Sequence, residues 1–328
     1  MKGINMSHHK PPHTENRIIK ILPWYGEYHA YFQLYLYSIY KNKDCLDLLL
    51  VSEKPPEYPL PSNVIFLQKS LQEIDQLLVK TIYETYDICL NSSLPTHLEN
   101  RHNPAWKLCD YRALYPLLFF NNIKEYSHWA FGDCDTIFGN INKSISDLFS
   151  YELIVGKGHF SVFKNEKIWN SGFVKPEFWV APGVRDYGTN RFNAAVQKIK
   201  DIIKYNGFDE SYFIPDAKIY AEYHPEKLKL LDLQSSGKYC HNHLTETYKP
   251  DGGFKLMYCG EHPHPEAFDN YYLYADGVLY RCSDAFDIKK PCLYSHFMGR
   301  TKLAKNSVKI ENYDAPLQFS VRAPLIFS

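Results

Sequence analysis

Three observations on the sequence predict an α/β fold whose sheet is largely parallel. Strand-like apolar runs alternate with helical patterns through the first hundred residues, the order of a sheet with right-handed crossovers. The run Cys45-Leu-Asp-Leu-Leu-Leu-Val51 is near-continuously apolar, the mark of a strand buried on both faces. A later stretch, Trp129-Ala-Phe-Gly-Asp-Cys-Asp-Thr-Ile-Phe-Gly139, runs from an apolar strand into two aspartates. With 328 residues the chain is long enough for one large domain or two ordinary ones, and we read one.

Taken in order, residues 1–15 carry His8, His9, Pro11, Pro12 and His13 with little to pack, and read as a disordered lead. The first strand is expected over Arg17–Leu22, and a helix with a broad aromatic and aliphatic surface over Tyr28–Tyr40. The Cys45–Val51 strand follows. A loop with Pro55, Pro56, Pro59 and Pro61 leads to a short strand at Val64–Leu67. Ser70 with Glu73 three residues on forms a capping box, opening a helix that runs to about Tyr86. Pro104 starts a further helix through Tyr115, since proline suits a first turn. Its three- and four-residue spacing puts Lys107, Asp110 and Tyr111 on roughly one side. After the strand at Trp129, Asn142 and Ser144 open a helix ending near Phe149, and Glu152–Val155 returns as a strand. Beyond Gly156 the texture is less regular. A helix is expected over Tyr187–Tyr205, and Tyr271–Tyr280 reads as a hairpin closed at Asp276-Gly277.

Composition narrows the functional classes. Hydrophobic residues make up 45% and charged residues 23%, which is ordinary for a globular chain. Lysine plus arginine equals aspartate plus glutamate at 37 each, so there is no basic excess to favour nucleic acid. Aromatic content of 16%, with 27 tyrosines, suits a sugar-binding cleft but also follows from AT-rich coding. The N-terminus lacks the apolar core of a signal peptide, and the strongest apolar run, Leu114–Phe120, is far too short to span a bilayer. The expectation is a cytoplasmic protein whose eight cysteines are reduced.

Asp133 and Asp135 carry the first chemical signal. On an extended segment alternate side chains share a face, so both carboxylates would point one way and Cys134 the other. Adjacent carboxylates repel unless a cation or shared proton lies between them, which makes the pair a seat for Mn²⁺ or Mg²⁺. Such a metal would grip the diphosphate of a nucleotide-sugar. The plainer alternative is two solvated turn aspartates. Downstream, Arg300 and Lys302 would neutralise phosphate oxygens or form a solvated basic turn.

Six stretches in order resemble a family of small glycosyltransferase-like proteins from bacterial polysaccharide-biosynthesis clusters, of GT-A type. They are Lys107-Leu-Cys-Asp-Tyr111, the Trp129–Gly139 stretch, Gly158-His-Phe-Ser-Val-Phe-Lys-Asn165, Gly207-Phe-Asp-Glu210, Asp276-Gly-Val-Leu-Tyr-Arg281 and Tyr294-Ser-His-Phe297. The resemblance spans about residues 17–305. It implies a GT-A-like, Rossmann-like mixed sheet flanked by helices, in a single domain over 16–305. The nucleotide-binding half would cover about 16–156, and an irregular acceptor-side half about 157–305, with 306–328 as a C-terminal tail. The stretches at Phe178–Asn193 and 240–264 depart from the family pattern, which leaves the acceptor open.

The implied activity is metal-dependent transfer of a sugar from a nucleotide-sugar donor to a glycan or other hydroxyl acceptor. Asp135 would ligate the metal directly, with Asp133 on the ribose or on the metal through water. His296 matches the family's late histidine as a third ligand. Lys107, Asp110 and Arg112 would contact the nucleotide, or else be exposed helix charges. Asp209 or Glu210 would deprotonate the acceptor hydroxyl, or else be the acidic first turn of a helix. His159 would line the acceptor site. Three other readings stand beside this one. A haloacid-dehalogenase-type phosphatase needs its threonine four residues after the first aspartate, whereas Thr136 is three after Asp133. A structural zinc site would draw on Cys240, His241, His243, Cys259, His262, His264, Cys282 and Cys292, whose spacings match no standard signature. The third is a non-catalytic sugar-binding or structural protein on a transferase-like scaffold.

Overall fold

The computed structural model describes residues 16–86, 108, 112, 114–155, 160–166, 169–170, 230–232, 241–248, 254–258, 270–275, 277–283, 288–296, 309–322 and 326–327. The chain enters through β1 (Ile18–Pro23), crosses by helix α1 (Phe32–Tyr40) to β2 (Leu46–Ser52), and continues to β3 (Val64–Gln68) and helix α2 (Leu71–Tyr86). It returns on β4 (His128–Phe131), leaves on β5 (Thr136–Phe138), and forms β6 (Leu153–Val155), β7 (Ser161–Lys164) and β8 (Leu230–Asp232). Among the described residues the main sheet has the order β3-β2-β1-β4-β7-β6-β8. Strands β3, β2, β1 and β4 are mutually parallel, and β7 runs antiparallel to β4 and β6. The fold is thus a mixed α/β sheet whose first four strands are parallel.

Burial explains the parallel core. All seven positions of β2 are buried, as its unbroken apolar run requires when both faces are covered. Every residue of α1 is buried too. One side of α1 meets the main sheet and β5, and the other meets the chain's C-terminal part. Gln33 exchanges two hydrogen bonds with the backbone of Ile310, at 3.3 and 3.2 Å, and the Tyr37 hydroxyl donates to Ala315 O at 2.8 Å. Residues 309–319, within the segment set apart as a tail, therefore lie against α1 with Ile310, Tyr313 and Phe319 buried.

The remaining strands are β9 (His241–Tyr248), β10 (Phe254–Tyr258), β11 (Asn270–Ala275), β12 (Val278–Ser283), β13 (Ile288–Cys292), β14 (Tyr294–His296), β15 (Phe319–Arg322) and β16 (Ile326–Phe327). They form two smaller sheets, β10-β9-β14-β5 and β13-β12-β11-β15-β16. The β11–β12 pair is the hairpin expected from Asp276-Gly277. Gly277 there has φ +76°, a conformation glycine adopts without steric cost.

Some boundaries differ from those expected. Helix α1 starts at Phe32 instead of Tyr28. Gly26 takes φ +120°, and the Tyr28 hydroxyl donates to Lys54 O at 2.8 Å, which holds the chain in a loop. The helix expected from Asn142 or Ser144 to Phe149 is two short turns. Asn140 caps the first, Ile141–Ser144, by accepting from Lys143 N at 2.8 Å. Asp147 at φ 53° breaks the continuation before a 3₁₀ turn at Leu148–Ser150. The start of the Pro104 helix and the Tyr187–Tyr205 helix lie outside the described residues.

The capping box forms as expected. Glu73 N donates to Ser70 Oγ at 3.1 Å, and Ser70 N donates to Glu73 Oε2 at 2.7 Å. The bond from Ser70 N foremost, and then that from the Lys69 ammonium at 2.9 Å, hold the Glu73 carboxyl down at about 2. A depressed folded-state value contributes stability above the unfolded value near 4.5, and that contribution is lost as pH falls through about 2. Wild type should therefore melt above a Glu73→Gln variant at pH 6, with the gap shrinking steadily toward pH 2.5.

Candidate functional site

The sheet order makes a topological switch point, where open α/β sheets leave a crevice. From β1 the chain moves outward through β2 to β3, then comes back to lay β4 on the other side of β1. Ligands of open α/β sheets bind beyond the carboxyl ends of the strands at such a switch point. Ile21 pairs with Phe131, so the ends of β1 and β4 stand side by side. Here the chain leaves β4 through Gly132-Asp-Cys-Asp135.

These residues form a bent turn, not the strand end expected, so strict alternation of side chains does not govern them. The turn carries the chain out of the main sheet into β5 of the small sheet. Within the turn Cys134 is buried, while Asp133 and Asp135 are each half-buried. Behind the turn, Asn42 at the end of α1 fixes β5. Its Nδ2 donates to Gly139 O at 2.8 Å and its Oδ1 accepts from Ile141 N at 2.8 Å. Below β4, Trp129 Nε1 donates to Asn170 Oδ1 at 2.8 Å, so the strand that delivers the turn is pinned by a polar group as well as by packing.

Two cations attend the acidic turn. The Arg112 guanidinium is buried, forms an ion pair with Asp133, and lies over the Phe131 ring at 5.5 Å. Lys20, in the middle of β1, is completely buried. Its ammonium donates to Tyr35 Oη at 2.8 Å and to the backbone oxygens of Gly132 and Asp133, each at 3.0 Å. Burial pushes this amine down to about 7, against the attraction of Cys134 and Asp133. Thr136 Oγ1 donates to the same Asp133 oxygen at 3.0 Å.

Aromatic groups close the surroundings. Burial raises the hydroxyls of Tyr31, Tyr35 and Tyr294, and nearby members of the acidic turn raise them further, so all three remain neutral phenols. In the loop after β1, His29 packs edge-on against Trp24 with centroids 4.7 Å apart. Burial lowers the His29 imidazole, and attraction to Asp135 opposes that shift.

Of the residues singled out in the sequence, Arg112, Asp133 and Asp135 come together here. His296 lies on β14 opposite Thr136, directly after Asp135, and its other register neighbour is His243 on β9. Lys107, Asp110, His159, Asp209, Glu210, Arg300 and Lys302 lie outside the described residues. Of the cysteine and histidine set, His241 and His243 are on β9 of the small sheet, whereas Cys282 and Cys292 are on β12 and β13 of the five-stranded sheet. Cys240, Cys259, His262 and His264 lie outside the described residues.

The sequence reading missed Lys20, Tyr35 and His29. The signal for Lys20 was present: a single charge inside Ile18-Ile-Lys-Ile-Leu22 must find partners if that strand is buried. As for a metal, the donor set is two carboxylates, the oxygen chemistry that suits Mg²⁺ or Mn²⁺ held by one or two aspartates together with substrate phosphates. Among the described residues no group of three histidines, cysteines or carboxylates gathers as a closed metal cage.

A family model described as "Family of unknown function (DUF6625)" matches residues 20–320. No curated protein matches the chain. Solved structures of LgtC show a distant likeness. An active-site mutant has 11% identity and a TM-score of 0.31, covering 86% of this chain and 87% of its own. The galactosyltransferase LgtC in complex with donor and acceptor sugar analogues has 12% identity and a TM-score of 0.30, with the same coverage. Likeness at this level carries no functional argument.

Proposed function

The chain belongs to this family of unknown function, DUF6625, and from that footing we propose that it is a metal-dependent glycosyltransferase. It would move a sugar from a nucleotide-sugar donor to a hydroxyl of a glycan or similar acceptor. The observation that carries the reading is the half-buried Asp133–Asp135 turn at the β1–β4 switch point, with a buried arginine paired to its first aspartate. A divalent cation bound there would neutralise charge developing on the departing diphosphate without a proton transfer.

The residues divide the work. Asp135 holds the metal, with His296 as a further ligand from the adjoining strand. Asp133, oriented by Arg112, faces the ribose or a metal-bound water. Arg112 also brings positive charge toward the phosphates, joined by Lys107, Arg300 and Lys302, with Asp110 on the nucleoside. Asp209 or Glu210 takes the proton from the acceptor hydroxyl, and His159 lines the acceptor side. The ordered stretches that resemble those of glycosyltransferase-like proteins support the same reading.

A melting panel of nucleoside diphosphates and nucleotide-sugars, each with and without Mn²⁺, tests it. A ligand that binds only the folded state raises the melting temperature by mass action. At least one nucleotide is expected to stabilise the protein only when Mn²⁺ is present. Stabilisation by simple glycans alone, with no nucleotide effect under any condition, would favour the non-catalytic reading.

A further inference from the structure

We propose that Lys20 is a positioning residue, which acts through the backbone of the Asp-x-Asp turn to set where Asp133 and Asp135 stand. The inference rests on the reading of that turn as a metal and diphosphate site, and deepens it. A charge with no exposure is strongly unfavourable unless it is fully hydrogen-bonded. Lys20 meets that need with three acceptors, and two of them are the consecutive carbonyls of Gly132 and Asp133. An ammonium has three donors, so the set is complete.

Two neighbouring carbonyls drawn to one fixed point determine the planes of two successive peptides. This is an unusual demand on a bent segment, where no ladder of strand hydrogen bonds would otherwise hold the chain. The strand before it ends at Phe131 and the strand after it starts at Thr136, so the turn is the joint between two sheets. Thr136 supplies a second donor to Asp133 O, and Tyr35 ties the ammonium to α1. With the carbonyls turned inward to Lys20 and Cys134 buried, the carboxylates are left on the crevice side. Lys20 cannot itself touch a substrate, being completely buried. A purely apolar residue would fill the volume but take the Lys20 donor from the buried Gly132 carbonyl and leave Asp133 O with that of Thr136.

The test compares full-length wild type with Lys20→Met by hydrogen exchange and by Mn²⁺ titration followed by electron paramagnetic resonance. Amides in the peptide spanning 132–136 are expected to exchange at least tenfold faster in the variant, with β2 and α1 protected as before. The Mn²⁺ dissociation constant is expected to rise at least tenfold. Unchanged exchange in the turn together with wild-type Mn²⁺ affinity, in a folded variant, would overturn the proposal. Wild type that binds no Mn²⁺ would overturn the metal reading instead, and the exchange comparison alone would then decide the role of Lys20. Tyr35→Phe removes one acceptor and leaves the charge in place, so it serves if Lys20→Met does not fold. About threefold faster exchange confined to the turn supports the proposal, and no change contradicts it.

Discussion

Asp135→Ala should reduce both transfer and metal-stimulated hydrolysis of a nucleotide-sugar by about a thousandfold or more. Metal assistance is worth several kcal/mol of charge stabilisation in the transition state, and each 1.4 kcal/mol is about tenfold in rate. The fold should survive, because Asp135 is only half-buried and the buried member of the turn is Cys134. Loss of stability should be about 1 kcal/mol, the central value for single substitutions. Asp135→Asn should fall nearly as far, since it keeps the shape and removes the charge. Turnover assays beside near-ultraviolet circular dichroism would separate lost chemistry from lost structure. Wild-type turnover by Asp135→Ala would remove the aspartate from the mechanism.

Asp47→Ala should cost about 3–5 kcal/mol of unfolding free energy, the range for breaking a buried pair by removing one partner. Asp47 is buried at the amino end of β2, away from the crevice. Its carboxylate takes both an ion pair and a 3.1 Å hydrogen bond from Arg17, and a 2.9 Å hydrogen bond from the Tyr126 hydroxyl. Removing it strands a largely covered guanidinium and a buried phenol together. The same three residues join the entrance to β1, the start of β2 and the approach to β4, so the loss falls on the parallel core. Urea unfolding would measure it. A cost below about 1 kcal/mol would mean that the network contributes little, as exposed ion pairs do.

How much of this was legible in the sequence depended on whether the cause was local. The capping box at Ser70 and Glu73, the doubly buried β2 and the hairpin at Gly277 follow from short-range rules, and each formed where expected. The start of α1 did not, because Tyr28 spends its hydroxyl on Lys54 in a distant loop. The Asp-x-Asp pair was visible as a motif, but its geometry was not. A switch from one sheet to another has no periodic signature, and the partner strand β14 arrives more than 150 residues later. Arg112 was visible as a charge near a helix, yet its pairing with Asp133 is a tertiary fact. Lys20 left the clearest unused clue, a charge within an apolar strand.

The central claim is that Asp135 and a diphosphate share one metal. Calorimetric titration of Mn²⁺ into wild type, with and without a saturating nucleoside diphosphate, measures this most directly, because coupling between two ligands must be reciprocal. The account predicts that the right diphosphate tightens Mn²⁺ binding at least tenfold beyond its affinity for Mn²⁺ in buffer, and that Asp135→Ala abolishes the coupling. Diphosphate that binds equally well in EDTA, with Mn²⁺ affinity unmoved, would contradict it.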